Sequence, residues 1–251
     1  MNVTLTYANS LTKLLRRHQS AAQKSSLQRY FSHNVALLGV TAPQIRQVIN
    51  DFYSSHAELN SEDVLQITEH VLQHANYNEE KLLAFGLINR WVKKSYDDNL
   101  LKTFRFWLEH YADNWSLVDD LCLKTIYSFF LARPHLINTI QPWALSPSPW
   151  CRRASNVAWV KFVDRQIGKD HYRLNTDLIF SNCNTLLYDP HEHVQKSIGW
   201  LLKVTGQHHG ELTENYLRRQ GPFMPRATLG CAVEKMPNRK TLLAEISSRH
   251  Q

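Results

Sequence analysis

The sequence predicts an all-α fold, and three observations support this prediction. Glycine is scarce, with 8 residues in a chain of 251, and no stretch alternates apolar and polar residues long enough to make a convincing strand. Apolar residues recur instead at intervals of three and four along most of the chain, which is the pattern of helices that bury one face. The breaks between these segments carry helix-start signals, so we expect roughly a dozen helices joined by short polar loops.

The helical pattern is clearest in three segments, residues 63–73, 80–92 and 100–108. Helix starts are marked where a residue with a capping side chain stands shortly before a proline suited to the first turn. Such starts occur at Thr41-Ala42-Pro43, Ser148-Pro149 and Asp189-Pro190. A further start is expected at Asn60-Ser61, because the next two residues are acidic and the helix dipole favours acidic residues there.

A weak internal repeat suggests how the helices are arranged. Residues 150–155 and 193–198 share the order aromatic, two residues, cation, small residue, and their cations, Arg153 and Lys196, are 43 positions apart. This spacing lies within the ~40–47-residue period of helical pairs of the HEAT and armadillo kind. Such pairs stack into a curved solenoid with a concave surface. An irregular helical bundle remains the alternative.

Length and composition restrict the class of protein. No low-complexity tract or long linker divides the chain, so we expect one domain over residues 1–251. The longest apolar run is far short of a membrane span, and residues 1–15 lack the pattern of a signal peptide, which together predict a cytoplasmic protein. Four scattered cysteines without paired metal spacing are expected to be reduced and mostly buried; they are Cys122, Cys151, Cys183 and Cys231.

The charge balance favours a polyanionic partner. Lys and Arg number 29 against 22 Asp and Glu, a formal net charge of +7, and the calculated pI is about 9.2. Charge of this kind suits nucleic acid. By itself it does not choose between nucleic acid, an anionic membrane surface and no function at all.

Trp115 and Asp119 are four residues apart, so in a helix they lie on one face. One interpretation is an aromatic wall beside a carboxylate in an open groove. The other is a core tryptophan with Asp119, or its neighbour Asp120, as a surface or capping carboxylate, since most tryptophans are largely buried.

Lys196, Trp200 and Lys203 form a second stripe along one helix. A purely buried face would not place lysines on both sides of a tryptophan, although lysine stems can lie along a buried ring. Arg152 and Arg153 point to different sides of their helix, and the repeat makes Arg153 the equivalent of Lys196. Cations repeated in register on successive helices suit a surface that follows phosphates.

Several other chemistries lack their motifs. The histidines at 191, 193, 208 and 209 have no third partner at suitable spacing, so we expect no metal site. No glycine-rich phosphate loop and no nucleophile elbow occur. We expect no cofactor.

Taken together, these stretches resemble the DNA alkylation repair family, the HEAT-like-repeat alkylpurine DNA glycosylases often called AlkD-like. The resemblance covers most of the chain, and it is carried by residues 30–31, 38–43, 114–120, 150–153, 195–200 and 222–226. It implies a right-handed superhelix whose concave face holds duplex DNA, and the excision of positively charged purines alkylated at ring positions 3 or 7.

The resemblance also implies roles for individual residues. The family's catalytic positions fall on Trp115, Asp119 and Trp200. DNA-binding positions fall on Arg153, Lys196, Lys203 and Tyr30. Lys203 departs from the family, which has arginine there; lysine keeps the charge but loses the planar, bidentate fork.

The residue chemistry is compatible with this activity. An alkylated purine already carries positive charge, so its leaving group needs no general acid. Asp119 would stabilise the oxocarbenium-like sugar and orient water, and tryptophan faces would hold the cationic group by contacts worth about 0.5–2 kcal/mol each. The expected protein is a monomer that acts on double-stranded DNA containing alkylated bases, without membrane or metal. Two alternatives remain, a non-catalytic binder of branched or distorted DNA with the same fold, and a helical-repeat scaffold that binds proteins.

Overall fold

The computed structural model describes residues 3–248, and most of them are helical, which confirms the predicted fold class. The contacts within the chain fall into two compact units, residues 1–100 and 101–251. Each unit is described by itself below. That the whole chain works as one domain stays a prediction.

The first unit consists of helices. They are α1 (Val3–Arg16), α2 (Ala21–Gln28), α3 (Ala42–Ser55), α4 (Ser61–His74) and α5 (Asn78–Leu87), followed by a 3-10 turn (Ile88–Arg90). Helices α1, α3, α4 and α5 pack on one another around fully buried side chains that include Leu11, Leu15, Phe52, Ile67 and Leu83. The pattern over residues 63–73 is therefore correctly interpreted, whereas the α-helix in the segment 80–92 ends at Leu87.

The predicted helix starts of this unit are confirmed. Helix α4 begins after Asn60, whose side-chain oxygen accepts hydrogen bonds from the backbone N–H groups of Glu62 (2.8 Å) and Asp63 (3.0 Å). Helix α3 begins after Thr41, whose backbone N–H donates to the Gln44 side chain at 2.9 Å. These bonds satisfy backbone and side-chain groups that the helix itself leaves unpaired.

The backbone of residues 38–40 is hydrogen-bonded to a buried carboxylate. Glu79 accepts hydrogen bonds from the backbone N–H groups of Leu38 (2.9 Å), Gly39 (2.8 Å) and Val40 (3.2 Å). Gly39 has φ of +80°, and a Cβ there would stand 2.1 Å from the Ser20 carbonyl oxygen. Only glycine fits this position, and the three bonds to Glu79 tie residues 38–40 to α5.

The second unit is larger. Its elements are α6 (Leu100–His110, which begins at the last residue of the first unit), α7 (Trp115–Asp120), a π-helical segment (Leu121–Ile126), α8 (Tyr127–Ala132), a 3-10 segment (Pro134–Leu145), α9 (Pro149–Val157), a 3-10 turn (Val160–Phe162), β1 (Asp164–Ile167), β2 (Asp170–Arg173), α10 (Thr176–Thr185), α11 (Glu192–His208), α12 (Gly210–Gln220), a 3-10 turn (Gly221–Phe223), α13 (Arg226–Ala232) and α14 (Arg239–Ser248). Helix α9 packs on α7 and α11, and α11 also packs on α12 and α13. Trp107, Trp159, Phe129, Phe130 and Phe162 lie fully buried in this unit.

Two local features differ from the prediction. Strands β1 and β2 form an antiparallel hairpin in which Asp164 stands opposite Arg173; four-residue polar strands carry no alternation that a sequence pattern could reveal. The start predicted at Asp189-Pro190 comes two residues early, because α11 begins at Glu192. The Asp189 carboxylate instead accepts the His191 N–H at 2.9 Å and binds Arg152.

A buried polar network sets the positions of α9, α10 and α11. The Asn156 side chain donates to Ser197 Oγ at 3.0 Å, and the Asn182 side chain donates to Asn156 Oδ1 at 2.8 Å. All three side chains are fully buried. Since a buried polar group is costly unless it is paired, this network favours one placement of α9 against α11.

Two further features concern composition. Cys122, Cys151 and Cys183 are buried free thiols and Cys231 is partly buried, as expected. In the described part of the chain, every helix is too short or too polar to cross a membrane.

Candidate functional site

The two predicted site residues that the structure joins are Asp119 on α7 and Arg153 on α9. Arg153 donates from Nε to Oδ1 and from Nη2 to Oδ2 of Asp119, both at 2.9 Å. Its third nitrogen, Nη1, donates to the backbone carbonyl of His193 at 2.6 Å. This fork-to-fork geometry is the strong, directional form of an ion pair, and it links α7, α9 and α11.

The exposure of the two partners differs. The Arg153 side chain is only 6% exposed, whereas the Asp119 side chain is 17% exposed. The carboxylate is therefore the more solvent-exposed member of the pair. Burial raises the pKa of the Asp119 carboxyl above its ordinary value; the hydrogen bonds and charge of Arg153 offset part of this effect, and the neighbouring Asp120 carboxylate adds to it.

The local sequence explains why Asp119 stands here. Asn114 is buried, and its side-chain oxygen accepts the N–H groups of Ser116 (3.0 Å) and Leu117 (3.2 Å), which caps α7 so that the helix begins at Trp115. The helix widens into a π-helical segment directly after Asp120. Insertions of this kind are frequent at functional sites because they re-aim side chains.

Asp120, the competing carboxylate, has a different partner. It accepts an ion pair from Lys124 one turn along the helix. The two adjacent carboxylates thus face different cations, and only Asp119 is held by a bidentate arginine from another helix.

The structure reveals an aromatic group that the sequence interpretation did not assign. Trp150 lies beside His191, with ring centroids 4.9 Å apart, and beside His193 at 5.8 Å. Trp150 precedes Arg153 by one helical turn, and His193 supplies the carbonyl that Arg153 binds. Three-residue spacing from Arg153 was the sequence signal for Trp150; nothing in the sequence places His193 against it.

His193 is held in its neutral form. Burial, together with the positive charges of Arg153 and Lys196, lowers the pKa of His193 to about 4. Burial is also the largest cause at His191 and lowers its pKa; the Asp189 carboxylate opposes this effect, and the charge of Arg152 adds to it. The Nδ1 atom of His191 is buried without a hydrogen-bond partner among the described residues.

The remaining predicted residues of this unit are separate from the ion pair. Trp115 on α7 and Trp200 on α11 are both partly exposed, and Trp200 lies two helical turns beyond His193, on the same side of the helix. Gly199 lets α13 approach closely, since a Cβ there would stand 2.8 Å from the Thr228 carbonyl oxygen. The neighbours of Trp200 are thus structural residues, while the tryptophan itself stays accessible.

The predicted lysines have surface partners. Lys196 is exposed and pairs with Glu192 one turn before it. Lys203 Nζ lies 3.2 Å from a carboxylate oxygen of Glu234. Arg153 and Lys196, equivalent in the sequence repeat, therefore occupy unlike surroundings, one buried and one in solvent.

Tyr30 belongs to the first unit, where its ring is strongly exposed just after α2. An accessible tyrosine can stack on or hydrogen-bond to a ligand. Its contact with DNA stays a prediction.

A cleft of about 560 Å³ opens near this region but is not lined by Asp119 or Arg153. Its walls are Leu187, Tyr188, Asp189, Gln195 and residues 222–225. The side-chain N–H groups of Gln195 are already used there, because they donate to the carbonyl groups of Leu187 and Asp189.

Among the described residues, no three His, Cys, Asp or Glu side chains are grouped so that they could hold a metal ion.

Comparisons with known proteins bear on the family and on the fold. A model of the family described as DNA alkylation repair enzyme matches residues 11–236. A solved structure described as a predicted DNA alkylation repair enzyme from Enterococcus faecalis is similar in fold, with a TM-score of 0.72 at 16% identity, over 88% of this chain and 97% of that chain. A comparison with curated proteins gave no match. The family match spans most of the sequence, and the chain belongs to the DNA alkylation repair enzyme family.

Proposed function

We propose that this chain is a DNA N-glycosylase that releases positively charged 3- or 7-alkylated purines from duplex DNA. The observation that carries the proposal is the Asp119–Arg153 pair, in which a buried arginine binds both oxygens of a partly exposed carboxylate. Membership of a DNA alkylation repair family supports the same class of substrate.

Asp119 would act on the sugar. As the glycosidic bond breaks, positive charge develops on the deoxyribose, and a fixed carboxylate nearby stabilises that charge. Arg153 occupies one acceptor position on each oxygen, and a carboxylate offers about four in all. The remaining positions can accept hydrogen bonds from the attacking water, so one group serves both purposes.

Arg153 would position Asp119, and the phosphate contact expected from the sequence is its alternative role. Its fork holds both carboxylate oxygens in one plane, and its third bond to the His193 carbonyl anchors that fork to α11. Lys196 and Lys203 are better placed to bind phosphate, because exposed ion pairs are worth little and exchange readily for another anion.

The aromatic residues would complete the site. The faces of Trp115 and Trp200 can hold a cationic sugar or base, and Trp150 with His193 would add a further wall beside Arg153.

We also propose that the helices stack as HEAT-like repeats in a right-handed solenoid and that residues 1–251 act as one domain. The protein would be a cytoplasmic monomer, bound to the nucleoid when it engages DNA.

The test is base release from a duplex that contains 7-methylguanine. The wild-type protein should release the base, and Asp119→Asn should lose about 10²–10³-fold in the single-turnover rate, the usual loss when one charge-stabilising group is removed. Its affinity for DNA should persist. Asp120→Asn is the matched control, since it removes the adjacent carboxylate and spares the arginine pair.

Two outcomes would contradict the proposal. One is a wild-type protein that binds the damaged duplex and releases no base. The other is an Asp120→Asn variant that loses as much activity as Asp119→Asn, because the pairing with Arg153 would then carry no catalytic meaning. The same assay on bulkier adducts would define the range of lesions accepted.

A non-catalytic DNA binder is the second candidate, and one observation favours it. Both oxygens of Asp119 already bind Arg153, which is what a purely structural ion pair requires. This candidate predicts tighter binding to branched junctions than to plain duplex, with no base release from either.

A further inference from the structure

Two exposed cations lie beside Tyr127 in the second unit, and the sequence interpretation assigned a role to none of these three residues. The Nζ atom of Lys161 lies 4.4 Å from the centroid of the Tyr127 ring, and the Cζ atom of Arg165 lies 5.4 Å from it. Both distances are within the range of cation–π attraction. We call Tyr127, Lys161 and Arg165 the Tyr127 cluster.

Within the described part of the chain, the Tyr127 cluster lacks an anionic partner. Among the described residues, no carboxylate lies within ion-pair distance of Lys161 or Arg165. Asp164, which precedes Arg165 in the chain, is already bonded to His171 at 2.6 Å and to Arg173 at 3.1 Å. Lys161 donates to a neutral group, the Leu123 carbonyl oxygen, at 2.9 Å.

Bringing these cations together has an electrostatic cost. Burial lowers the pKa of Lys161, and the positive charges of Arg165 and Lys124 lower it further. The sign of this effect shows that the surroundings of Lys161 disfavour its charge. An anion that contacts both cations would reverse that balance, so the site is complementary to a negatively charged ligand.

The position of the cluster indicates which ligand. Lys124, which adds to the charge at Lys161, forms the ion pair with Asp120, the residue next to Asp119. Lys124 thus acts on Lys161 through its charge and is paired with a residue of α7, the helix that carries the proposed catalytic carboxylate. Arg165 extends from β1 of the short hairpin and Lys161 from the turn before it, and both side chains belong to exposed residues.

We propose that the Tyr127 cluster binds phosphate groups of the duplex DNA whose damaged base reaches Asp119. This deepens the proposed function, on which the choice of ligand rests. An arginine supplies a planar fork for phosphate oxygens and a lysine supplies a point charge. The tyrosine ring holds the two cations in place before the duplex arrives, which reduces the ordering that binding requires.

The test measures affinity for an undamaged duplex at several salt concentrations. In the double variant Lys161→Gln/Arg165→Gln, the plot of log K against log[salt] should become shallower by about two, since each phosphate contact contributes about 0.9 to the slope. Counterion release makes one contact worth about fivefold at 0.15 M salt, so affinity should fall about 30-fold.

The matched control removes the same charge elsewhere. Arg239→Gln/Lys240→Gln changes two exposed cations at the start of α14, and we expect it to leave the slope as in the wild type. Equal losses in both variants would overturn the proposal, because net charge alone would then explain binding. An unchanged slope in the Tyr127 cluster variant would overturn it as well.

Two further measurements keep the outcomes separate. Lys161→Arg/Arg165→Lys retains both charges and should keep the wild-type slope, and Arg165→Gln alone should reduce the slope by about one if the double variant does not fold. Undamaged DNA is the probe, so the result does not depend on catalysis. A protein that binds through the cluster but releases no base contradicts only the proposed function.

Discussion

Two consecutive arginines on α9 make two ion pairs whose geometries are alike and whose exposures are opposite. Arg152 binds Asp189 with Nε at 2.5 Å and Nη2 at 3.3 Å, and Arg153 binds Asp119 through the same two nitrogens. In the first pair the carboxylate is 5% exposed and the arginine 18%. In the second pair the arginine is 6% exposed and the carboxylate 17%.

This difference separates a structural pair from a functional candidate. Asp189 also accepts the His191 N–H, and Arg152 also donates to the carbonyl groups of Ser146 and Pro147. That pair therefore joins the loop before α9 to the loop before α11. The Asp119 carboxylate is the more exposed of the two, so the second pair is the one that offers a negative charge to a ligand.

Removal of each arginine tests the comparison through stability, with the largest effect expected at Arg152. Arg152→Met leaves the nearly buried Asp189 carboxylate without its cation, and the free energy of unfolding should fall by about 3–5 kcal/mol. Arg153→Met leaves Asp119, which water can still reach, so the loss should be smaller, about 1–3 kcal/mol. Methionine keeps most of the apolar stem in both variants.

Urea unfolding of the two variants measures both losses under the same conditions. Urea is preferred because guanidinium chloride would screen the ion pairs. A larger loss at Arg153 than at Arg152 would reverse the assignment, since Asp119 would then be the more dependent carboxylate.

Lysine substitution tests the same comparison through activity. Arg153→Lys keeps the charge but cannot hold both oxygens of Asp119, so the single-turnover rate of base release should fall about 10- to 100-fold through misplacement of the carboxylate. The DNA dissociation constant should hardly change. Arg152→Lys is the matched control and should keep the wild-type rate in the folded fraction.

The split between rate and affinity decides which role Arg153 has. A phosphate contact at Arg153, as expected from the sequence, would show mainly as weaker binding and a shallower salt dependence. A loss of affinity with an unchanged rate would therefore contradict the positioning role.

Much of the fold could be predicted because the sequence signals of a helix lie within the helix itself and at its ends. The capping side chains of Thr41 and Asn60 and the periodicity over residues 63–73 each act within one or two turns of chain, and the structure confirms them. The hairpin of β1 and β2 could not be predicted, because its strands are short and polar. Asp189 was interpreted as a helix start since Asp-Pro fits that pattern, but its carboxylate serves Arg152, a partner 37 positions away.

The site was predictable only in part for the same physical reason. Helical spacing correctly puts Trp115 and Asp119 on one face, because both residues belong to α7. The partner of Asp119 is 34 positions away on another helix, and periodicity within a helix does not say which helices meet. The sequence repeat therefore selected Arg153 over Arg152 as a surface cation, whereas packing of α7 against α9 makes it the buried half of an ion pair.

The last prediction concerns His193, whose carbonyl anchors Arg153. Its pKa in the folded protein is about 4, and its largest cause is burial, with Arg153 and Lys196 adding to it. The ordinary value near 6.5 applies to the unfolded chain, which therefore takes up the proton first as the pH falls. The stability contributed by the neutral ring is complete above pH 6.5 and is lost progressively towards pH 4.

His193→Gln should remove this part of the pH dependence of the unfolding free energy. His18→Gln, which changes an exposed histidine of the first unit, is the matched control for the loss of one imidazole. Glu192, whose charge raises the pKa of His193, and His191, whose charge lowers it, remain in both proteins, so the difference between the two curves isolates His193. Identical curves over pH 4–6.5 would mean that the ring is protonated as easily in the folded protein as in the unfolded chain. The charges of Arg153 and Lys196 would then not act on the ring, which would contradict the placement of His193 beside the arginine of the Asp119 pair.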